Sequence, residues 1–419
     1  MKNYKFSIIT PEHNPKNIPY LLELFDSIVN QTYKDWEWIL FLNNGCKESD
    51  IPDVIKQHPQ VIVHRTEDNN GNIGHIKNAA FNLGQGDILV EADHDDILID
   101  TCLEKLNQAF QDESVGFVYS DNAVLHMQDQ FSPFGDLYGW SHKTFDYKGK
   151  TLYSMNSFPP SSHSVGYIWY APDHVRSWRT TVYKSIGGHN VELSICDDHE
   201  LMIRTYMNTK MYHIPEVLYI YRITGDNTWL ERNQAIQERT VQLFQKHAWD
   251  LACKDAKDNG LHIVELGGGI NPKDGCNINI DLEEGNYKWD LNNGIPLDDN
   301  SVGVIWASHI LEHLYDKHKI LKEIHRVLAD GGWAFIQVPS TDGRGAFQDP
   351  THVSYWNENC FWYYTRRDKA AFIRNYDIRF QSFKLDTFYW EPKSDNIAIT
   401  DAWLVAVKSD KRRPHRLVI

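Results

Sequence analysis

The chain has 419 residues, 42% hydrophobic and 24% charged; this is a globular composition, long enough for two or three domains at roughly 150 residues each. A formal net charge of -15 excludes a general nucleic-acid or anionic-membrane binder, since either needs a basic face. Six cysteines (46, 102, 196, 253, 276, 360) without a CxxC pair exclude a disulfide framework or a zinc site of that type and fit a reducing compartment. In chain order, apolar runs at 6–9, 38–42, 61–63, 88–90 and 117–119 alternate with helical patterns at 18–30, 51–57, 73–83 and 98–111. Such alternation predicts βαβ units and a parallel sheet. Residues 126–170, broken by Phe158-Pro159-Pro160-Ser161-Ser162, read as a long loop near a site. Next come 178–188, a helix at 199–207 and a strand at 217–221. A polar helical stretch over 227–257, ending at Asp258-Asn259-Gly260, reads as a connector, which sets domains at 1–245 and 258–419.

The second series has strands at 262–266, 276–280, 302–306 and 333–338. A helix is predicted over 310–328, with Leu311, Leu314, His318, Leu321, Ile324 and Leu328 on one face and Asp330-Gly331-Gly332 stopping it. The basic run Lys411-Arg412-Arg413 with Arg416 reads as a solvated tail. No apolar stretch reaches the ~18 residues that span a bilayer, and Met1-Lys2-Asn3-Tyr4-Lys5 leads into a strand without a signal-peptide core. The expectation is a soluble, cytoplasmic protein with no transmembrane segment.

The densest chemical signal is Glu91-Ala92-Asp93-His94-Asp95-Asp96, directly after Ile88-Leu89-Val90. The carboxylates fall at the carboxyl end of a buried strand, where open α/β sheets bind ligands. Crowded carboxylates repel unless a cation or hydrogen-bond donors compensate them, and their oxygens suit Mg²⁺ or Mn²⁺. The plain alternative is a solvated turn followed by a helix cap at Ile97-Leu98.

Further motifs accompany it. Ser7-Ile8-Ile9-Thr10-Pro11-Glu12-His13-Asn14 ends the first strand, and Ser27-Ile28-Val29-Asn30-Gln31-Thr32-Tyr33 ends the first helix. Glu67-Asp68-Asn69 precedes Asn72-Ile73-Gly74-His75-Ile76-Lys77-Asn78, and Ser185-Ile186-Gly187-Gly188-His189 precedes Cys196-Asp197-Asp198-His199-Glu200. Tyr221-Arg222-Ile223-Thr224 through Asp226-Asn227-Thr228 closes the series. In this order, over about 1–230, the chain resembles the family 2 glycosyltransferases of the GT-A fold. The resemblance implies a nucleotide-diphosphate sugar donor contacted by Pro11, Glu12, His13, Asn43, Asn44, Lys77, Asp93 and His94. It implies Mn²⁺ or Mg²⁺ held by Asp95 with Asp93, the ion neutralising the departing diphosphate. Asp198, with Asp197 beside it, matches the acidic pair that supplies the general base of inverting members; an N-cap for the following helix is the structural alternative. Two departures stand out. Asn43-Asn44 replaces a pair of aspartates, and Thr224 stands where many relatives have histidine.

In the second half, Ile263-Val264-Glu265-Leu266-Gly267-Gly268-Gly269 runs a strand into a glycine turn. Asp281 ends the next strand, where a carboxylate can grip a ribose diol. Trp289-Asp290-Leu291, Ala307-Ser308-His309-Ile310-Leu311-Glu312-His313 and Arg326-Val327-Leu328 follow. This series resembles the class I S-adenosylmethionine-dependent methyltransferases over about 258–410. By that resemblance S-adenosyl-L-methionine is the cofactor: Glu265, Gly267 and Gly269 flank its methionine part, Asp281 binds the ribose, Asp290 and Leu291 lie at the adenine, and Ser308 and His309 lie near the methyl. Asn271-Pro272 interrupts the helix that usually follows the glycines. Methylating a hydroxyl needs a base, for which His309, His313 and His352 are candidates, with Asp349 and the histidines as an uncompelled metal set.

The expected fold is α/β, two tandem doubly wound domains: a GT-A nucleotide-sugar-binding domain, then a Rossmann-like methyltransferase domain. The expected function is bifunctional: inverting, metal-dependent sugar transfer to a glycan or sugar-bearing acceptor, plus O-methylation in glycan biosynthesis. The alternatives are a GT-A half that only docks a glycan, and a nucleic-acid or protein acceptor.

Overall fold

A computed structural model describes residues 2–67, 72–127, 139–225, 227, 231–374 and 377–409. Asp68, Asn69, Asp226, Thr228 and the basic run at 411–416 lie outside the described residues. The chain divides into two compact units, Met1–Leu251 and Ala252–Ile419. Among the described residues no helix is long and apolar enough to cross a membrane.

The first unit begins β1 (Phe6–Glu12), α1 (Ile18–Val29), β2 (Trp36–Leu42), α2 (Asp53–Lys56), β3 (Val61–Arg65), α3 (Ile73–Phe81) and β4 (Ile88–Glu91). Next are β5 (Ile97–Leu98), α4 (Cys102–Ala109), β6 (Val115–His126), β7 (His142–Tyr147), β8 (Lys150–Met155) and α5 (Ser162–Tyr167). Then come β9 (Arg176–Arg179), α6 (Thr180–Ser185), α7 (Asp197–Asn208) and β10 (Lys210–Ile223). The sheet order is β3-β2-β1-β4-β9-β6-β10-β5. β1 pairs in parallel with β2 and β4, and β2 with β3. The continuous apolar runs follow from cover on both faces: Ile8, Trp38 and Leu40 join one core with Leu24 and Phe25, whereas Ile9, Ile39 and Phe41 join another with Ile76 and Phe81.

Three expectations are corrected here. The sheet is mixed, because β9 runs antiparallel to β4 and β6. Ile97-Leu98 is not a helix start: it pairs antiparallel with Tyr219 and Ile220 of β10. The predicted long loop contains the hairpin β7–β8, and β8 pairs with β6. Its turn places Lys148 and Gly149 at φ 51 and 79, the geometry that matches strand twist in a two-residue hairpin.

α8 (Asn233–Asp258) contains the division between the units. The second unit follows with β11 (His262–Leu266), β12 (Ile278–Asp281), β13 (Tyr287–Lys288), β14 (Val302–Ser308), α9 (Lys317–Val327) and β15 (Leu328–Pro339). It ends with α10 (Gly345–Gln348), α11 (Glu358–Thr365), α12 (Arg367–Ala370), β16 (Phe380–Tyr389) and β17 (Ala398–Ala406). The order is β13-β12-β11-β14-β15-β17-β16, with β17 antiparallel to both neighbours. The predicted helix over 310–328 is two pieces. Leu311–His313 forms a 3-10 turn, and α9 starts after Asp316, whose carboxylate accepts from His318 N and Lys319 N at 3.0 Å each. That cap satisfies orphan N–H groups at the helix start. α9 buries Ile320, Leu321, Ile324 and Val327.

In both units the chain reverses its direction of sheet growth beside a central strand, between β1 and β4 and between β11 and β14. Such switch points open a crevice at the carboxyl ends of the strands.

Candidate active sites

In the first unit, the ends of β1, β2 and β4 converge. Glu12 is fully buried; its Oε1 accepts from His13 N and Asn14 N at 2.7 Å each, and its Oε2 has no hydrogen-bond partner. Asn14 caps the turn Pro15–Asn17, which carries Asn17 to His94 (Nδ2 to Nε2, 2.8 Å). Glu12, His13 and His94 offer ligand atoms within 4.8 Å of one another. Pro11 is half-buried on β1 beside Phe41. Asn43 is buried and spends its amide Nδ2 on the Glu12 carbonyl at 3.2 Å, while Asn44 is exposed with φ 52. Of the two asparagines, only Asn43 is thereby drawn into the strand ends.

The acidic cluster splits by role. Asp96 is fully buried, and its Oδ1 accepts from Arg222 N at 2.7 Å. Arg222 also donates from Nε to Asp95 O (2.6 Å) and from Nη2 to Glu23 (2.8 Å), which clamps the turn onto β10. Asp93 N donates to the Tyr219 hydroxyl at 3.0 Å, and its carboxylate lies 3.7 Å from His174 Nε2. His174 stacks on Tyr219 at 4.8 Å, and neither of its ring nitrogens has a hydrogen-bond partner. Asp95 lies 3.9 Å from His94 Nε2. Burial raises its carboxyl above the ordinary range, with His94 opposing and Asp93 adding to the rise. Buried carboxylate charge of this kind, together with the unpartnered Glu12 oxygen, fits a divalent cation.

Behind these groups runs a buried ion network. Lys77 on α3 reaches Glu91 Oε1 at 2.5 Å; Arg176 on β9 lies 3.6 Å from Glu91 Oε2 and 3.0 Å from Asp198 Oδ2. Arg176 Nε also donates to Pro172 O at 2.8 Å. Burial works against charge on each member, and the partners outweigh it. Glu91 is held well below the ordinary carboxylate range by Lys77 and Arg176, and Asp198 is held below it by Arg176 and Lys77. Asp197 behaves oppositely: burial pushes it up to about 7 against the pull of Lys77, with Asp198 adding to the rise. Its Oδ2 lies 3.9 Å from His189 Nε2. The His189 ring is neutral, pushed down to about 3 by burial and by Lys77, and it meets the Tyr183 hydroxyl at 2.7 Å. The cap alternative is corrected in one respect. Asp197 and Asp198 are the first residues of α7 itself, and the N-cap is Cys196, with φ 56 and no side-chain cap bond. Acidic groups in that first turn suit the helix dipole.

Arg176 and His174 stand in none of the sequence motifs, while Glu91 and Arg222 stand in the acidic cluster and the closing motif without a part of their own. A charged residue closing a fully apolar strand was the one available signal, since a buried charge demands a partner; nothing local pointed to Arg176.

In the second unit, Gly267 has φ 72, and a Cβ there would meet Ile310 at 2.7 Å, so only glycine fits the turn after β11. Asn279, unassigned from sequence, braces that turn: its Oδ1 accepts from Gly268 N at 3.1 Å and its Nδ2 donates to Gly269 O at 2.9 Å. Asp281 Oδ2 accepts from Gly269 N at 3.1 Å, and its Oδ1 accepts from Glu283 N and Glu284 N at 3.0 and 3.1 Å. Burial would raise the Asp281 carboxyl, and these backbone donors outweigh it and hold it low. Glu265 is buried and accepts from Lys273 N. Gly267, Gly269, Glu265 and Asp281 are thus drawn around one turn, and the space beyond Gly269 is open. This donor set and open turn fit a ribose-bearing cofactor.

Asp290 instead caps the turn Leu291–Asn293 through Asn292 N at 2.9 Å, and Leu291 is buried in the core. Ser308 ends β14, with Oγ 3.4 Å from Gln337 Oε1. His309 follows with φ 55; its Nδ1 lies 3.4 Å from Glu312 Oε1 and its ring 5.7 Å from Trp390. His352 sits in the loop before α11, its ring 5.0 Å from that of His313.

Comparison with known proteins completes the picture. The model of "Glycosyl transferase family 2" matches residues 7–163, and a "Methyltransferase domain" model matches 276–336. An uncharacterized glycosyltransferase of Methanocaldococcus jannaschii is 36% identical over 224 residues, covering 51% of this chain and 69% of that one. Hyaluronan synthase of Pasteurella multocida is 23% identical over 230 residues, covering 54% of this chain and 21% of its own length. An uncharacterized protein of Sinorhizobium fredii is 23% identical, with 52% and 22% covered. The chain therefore spans about a fifth of these last two relatives. Among solved structures, S. aureus TarS 1-349 in complex with UDP-GlcNAc aligns with a TM-score of 0.42 at 17% identity, covering 58% of this chain and 71% of that one. A mannosyltransferase from Pyrobaculum calidifontis in complex with GDP-Man and Mn²⁺ aligns with a TM-score of 0.40 at 17% identity, covering 58% and 64%.

Proposed function

Because the chain belongs to glycosyl transferase family 2 and carries a methyltransferase domain, we propose that it is a bifunctional enzyme. The first unit transfers a sugar from a nucleotide-diphosphate donor to a glycan-type acceptor with inversion. The second methylates a hydroxyl, with S-adenosyl-L-methionine as donor. One observation carries the first assignment. Asp198 sits beside the strand-end crevice as a carboxylate, held ionised by Arg176 at 3.0 Å, so it is ready to accept the proton of an attacking acceptor hydroxyl. Arg176 keeps the carboxylate ionised, and Glu91 with Lys77 balances the arginine. Asp93 and Asp95, with Glu12 and His94 at the same edge, would hold a divalent cation, which supplies charge neutralisation to the departing diphosphate. Asn43, Pro11 and His13 line the strand ends where the nucleotide would lie.

In the second unit, Glu265, Gly267, Gly269 and Asp281 would hold the cofactor, which supplies an electrophilic methyl group. His309, after the end of β14, takes the proton of the hydroxyl being methylated. Joining the two units raises the effective concentration of a shared glycan for the second reaction.

Purified full-length protein, incubated with Mn²⁺ and a panel of nucleotide sugars, tests the first assignment. Asp198→Asn is expected to lower transfer by roughly 100-fold to 10,000-fold while nucleotide-dependent stabilisation in thermal shift persists. Asp95→Ala is expected to abolish the metal-dependent part of that stabilisation. Undiminished transfer in Asp198→Asn removes the base assignment, and undiminished metal dependence in Asp95→Ala removes the cation assignment.

A further inference from the structure

Glu312, His313 and His352 come together at the carboxyl end of β14, with ligand atoms within 4.8 Å of one another. Glu312 is 2% exposed, yet neither of its carboxylate oxygens has a hydrogen-bond partner. A buried carboxylate without donors is costly unless something cationic faces it. Neither His313 nor His352 reaches hydrogen-bond range of it, and His309 Nδ1 stands off at 3.4 Å.

The hydrogen bonds of the two histidines fix the orientation of their rings. His352 Nδ1 lies 3.0 Å from Ala346 O, a carbonyl that can only accept, so Nδ1 donates there and Nε2 is the nitrogen left for a ligand. His313 Nδ1 faces Thr351 O at 3.2 Å and Thr351 Oγ1 at 3.1 Å. The Thr351 hydroxyl spends its own proton on Asp349 Oδ1 at 2.6 Å, so it too accepts from His313, which leaves that Nε2 free. Nδ1–H donated to a backbone carbonyl is the outer-shell pattern that orients metal-bound histidine. Asp349 Oδ2, 3.8 Å from His352 Nε2, adds a further oxygen at the rim.

We propose that Glu312, His313 and His352 form a divalent transition-metal site in the second unit. Two imidazoles and one carboxylate suit Zn²⁺, Fe²⁺, Mn²⁺ or Co²⁺ better than the all-oxygen preference of Mg²⁺ or Ca²⁺. Three protein ligands leave positions open for water or a substrate oxygen. An ion so placed, next to His309, would polarise the acceptor hydroxyl; that role, unlike the binding itself, rests on the methyltransferase reading. His352 is then a ligand rather than a base.

Chelator-stripped full-length protein titrated with Co²⁺ tests the site through its visible absorption and bound stoichiometry. The wild type is expected to bind one equivalent more than His313→Ala or His352→Ala, with Glu312→Gln weakening that equivalent by about tenfold or more. The first-unit candidates are unchanged in these variants, so the difference belongs to this site. Thermal stabilisation of each variant by S-adenosylhomocysteine reports that the unit is folded. Equal Co²⁺ stoichiometry and spectra in the wild type and in both histidine variants overturn the proposal. Co²⁺ binding without any response to S-adenosylhomocysteine leaves the metal site standing and removes the methyltransferase reading.

Discussion

Two adjacent carboxyls, Asp197 and Asp198, share a helix turn and titrate in opposite directions. Arg176 reaches only Asp198, while Asp197 is turned into the core toward neutral His189. With Asp197 raised to about 7 from an ordinary 3.8, the folded state holds that proton more tightly than the unfolded chain. Its contribution to stability is full below about 3.8 and is lost as pH rises through about 7. Asp197→Asn cannot titrate, so it should gain in melting temperature relative to the wild type between pH 5 and pH 8, at roughly 1.4 kcal/mol per unit of pKa removed. An unchanged difference between the two pH values would mean that Asp197 is ionised throughout. Arg176 is the residue that ties the network together, because it alone joins Asp198 to Glu91, which also keeps Lys77 as a partner. The acidic pair was legible in the sequence; its division into one ionised and one protonated carboxyl was not, since both aspartates carry the same local context.

At the scale of elements, the apolar runs and their alternation with helical patterns mark the strands because cover on both faces removes any need for a polar stripe. The patterns failed where a tertiary partner decided. Ile97-Leu98 has the composition of a helix start and becomes a strand because β10 offers an edge. The apolar periodicity over 310–328 continues unbroken through Asp316, yet the chain stops and restarts there because that carboxylate caps α9. The break is what frees Glu312 and His313 from a helix and sets them at the end of β14. The turn after β11 makes a sharper claim. Gly267→Ala combines a positive φ of 72 with a Cβ 2.7 Å from Ile310, and should cost about 1–3 kcal/mol as well as S-adenosylhomocysteine binding, measured by chemical denaturation and thermal shift. Wild-type binding in that variant would show that the turn does not approach the cofactor.

At the scale of the whole molecule, each unit has its own sheet and buried core, so each is expected to respond to its own ligand. Calorimetry of the full chain should show nucleoside diphosphate with Mn²⁺ raising one unfolding transition and S-adenosylhomocysteine raising another, each by mass action on a folded site. A single transition moved equally by both would mean that the units unfold as one. The chain by itself determined the α/β class, the order of the two halves and the family, because these rest on strand–helix alternation and on ordered motifs that are properties of contiguous residues. Tertiary structure alone decided which charges meet. Lys77, Glu91, Arg176 and Asp198 come from four separate elements, and His352 reaches Glu312 and His313 across about forty residues of chain. Electrostatic energy depends on distance and burial in space, neither of which a linear spacing encodes.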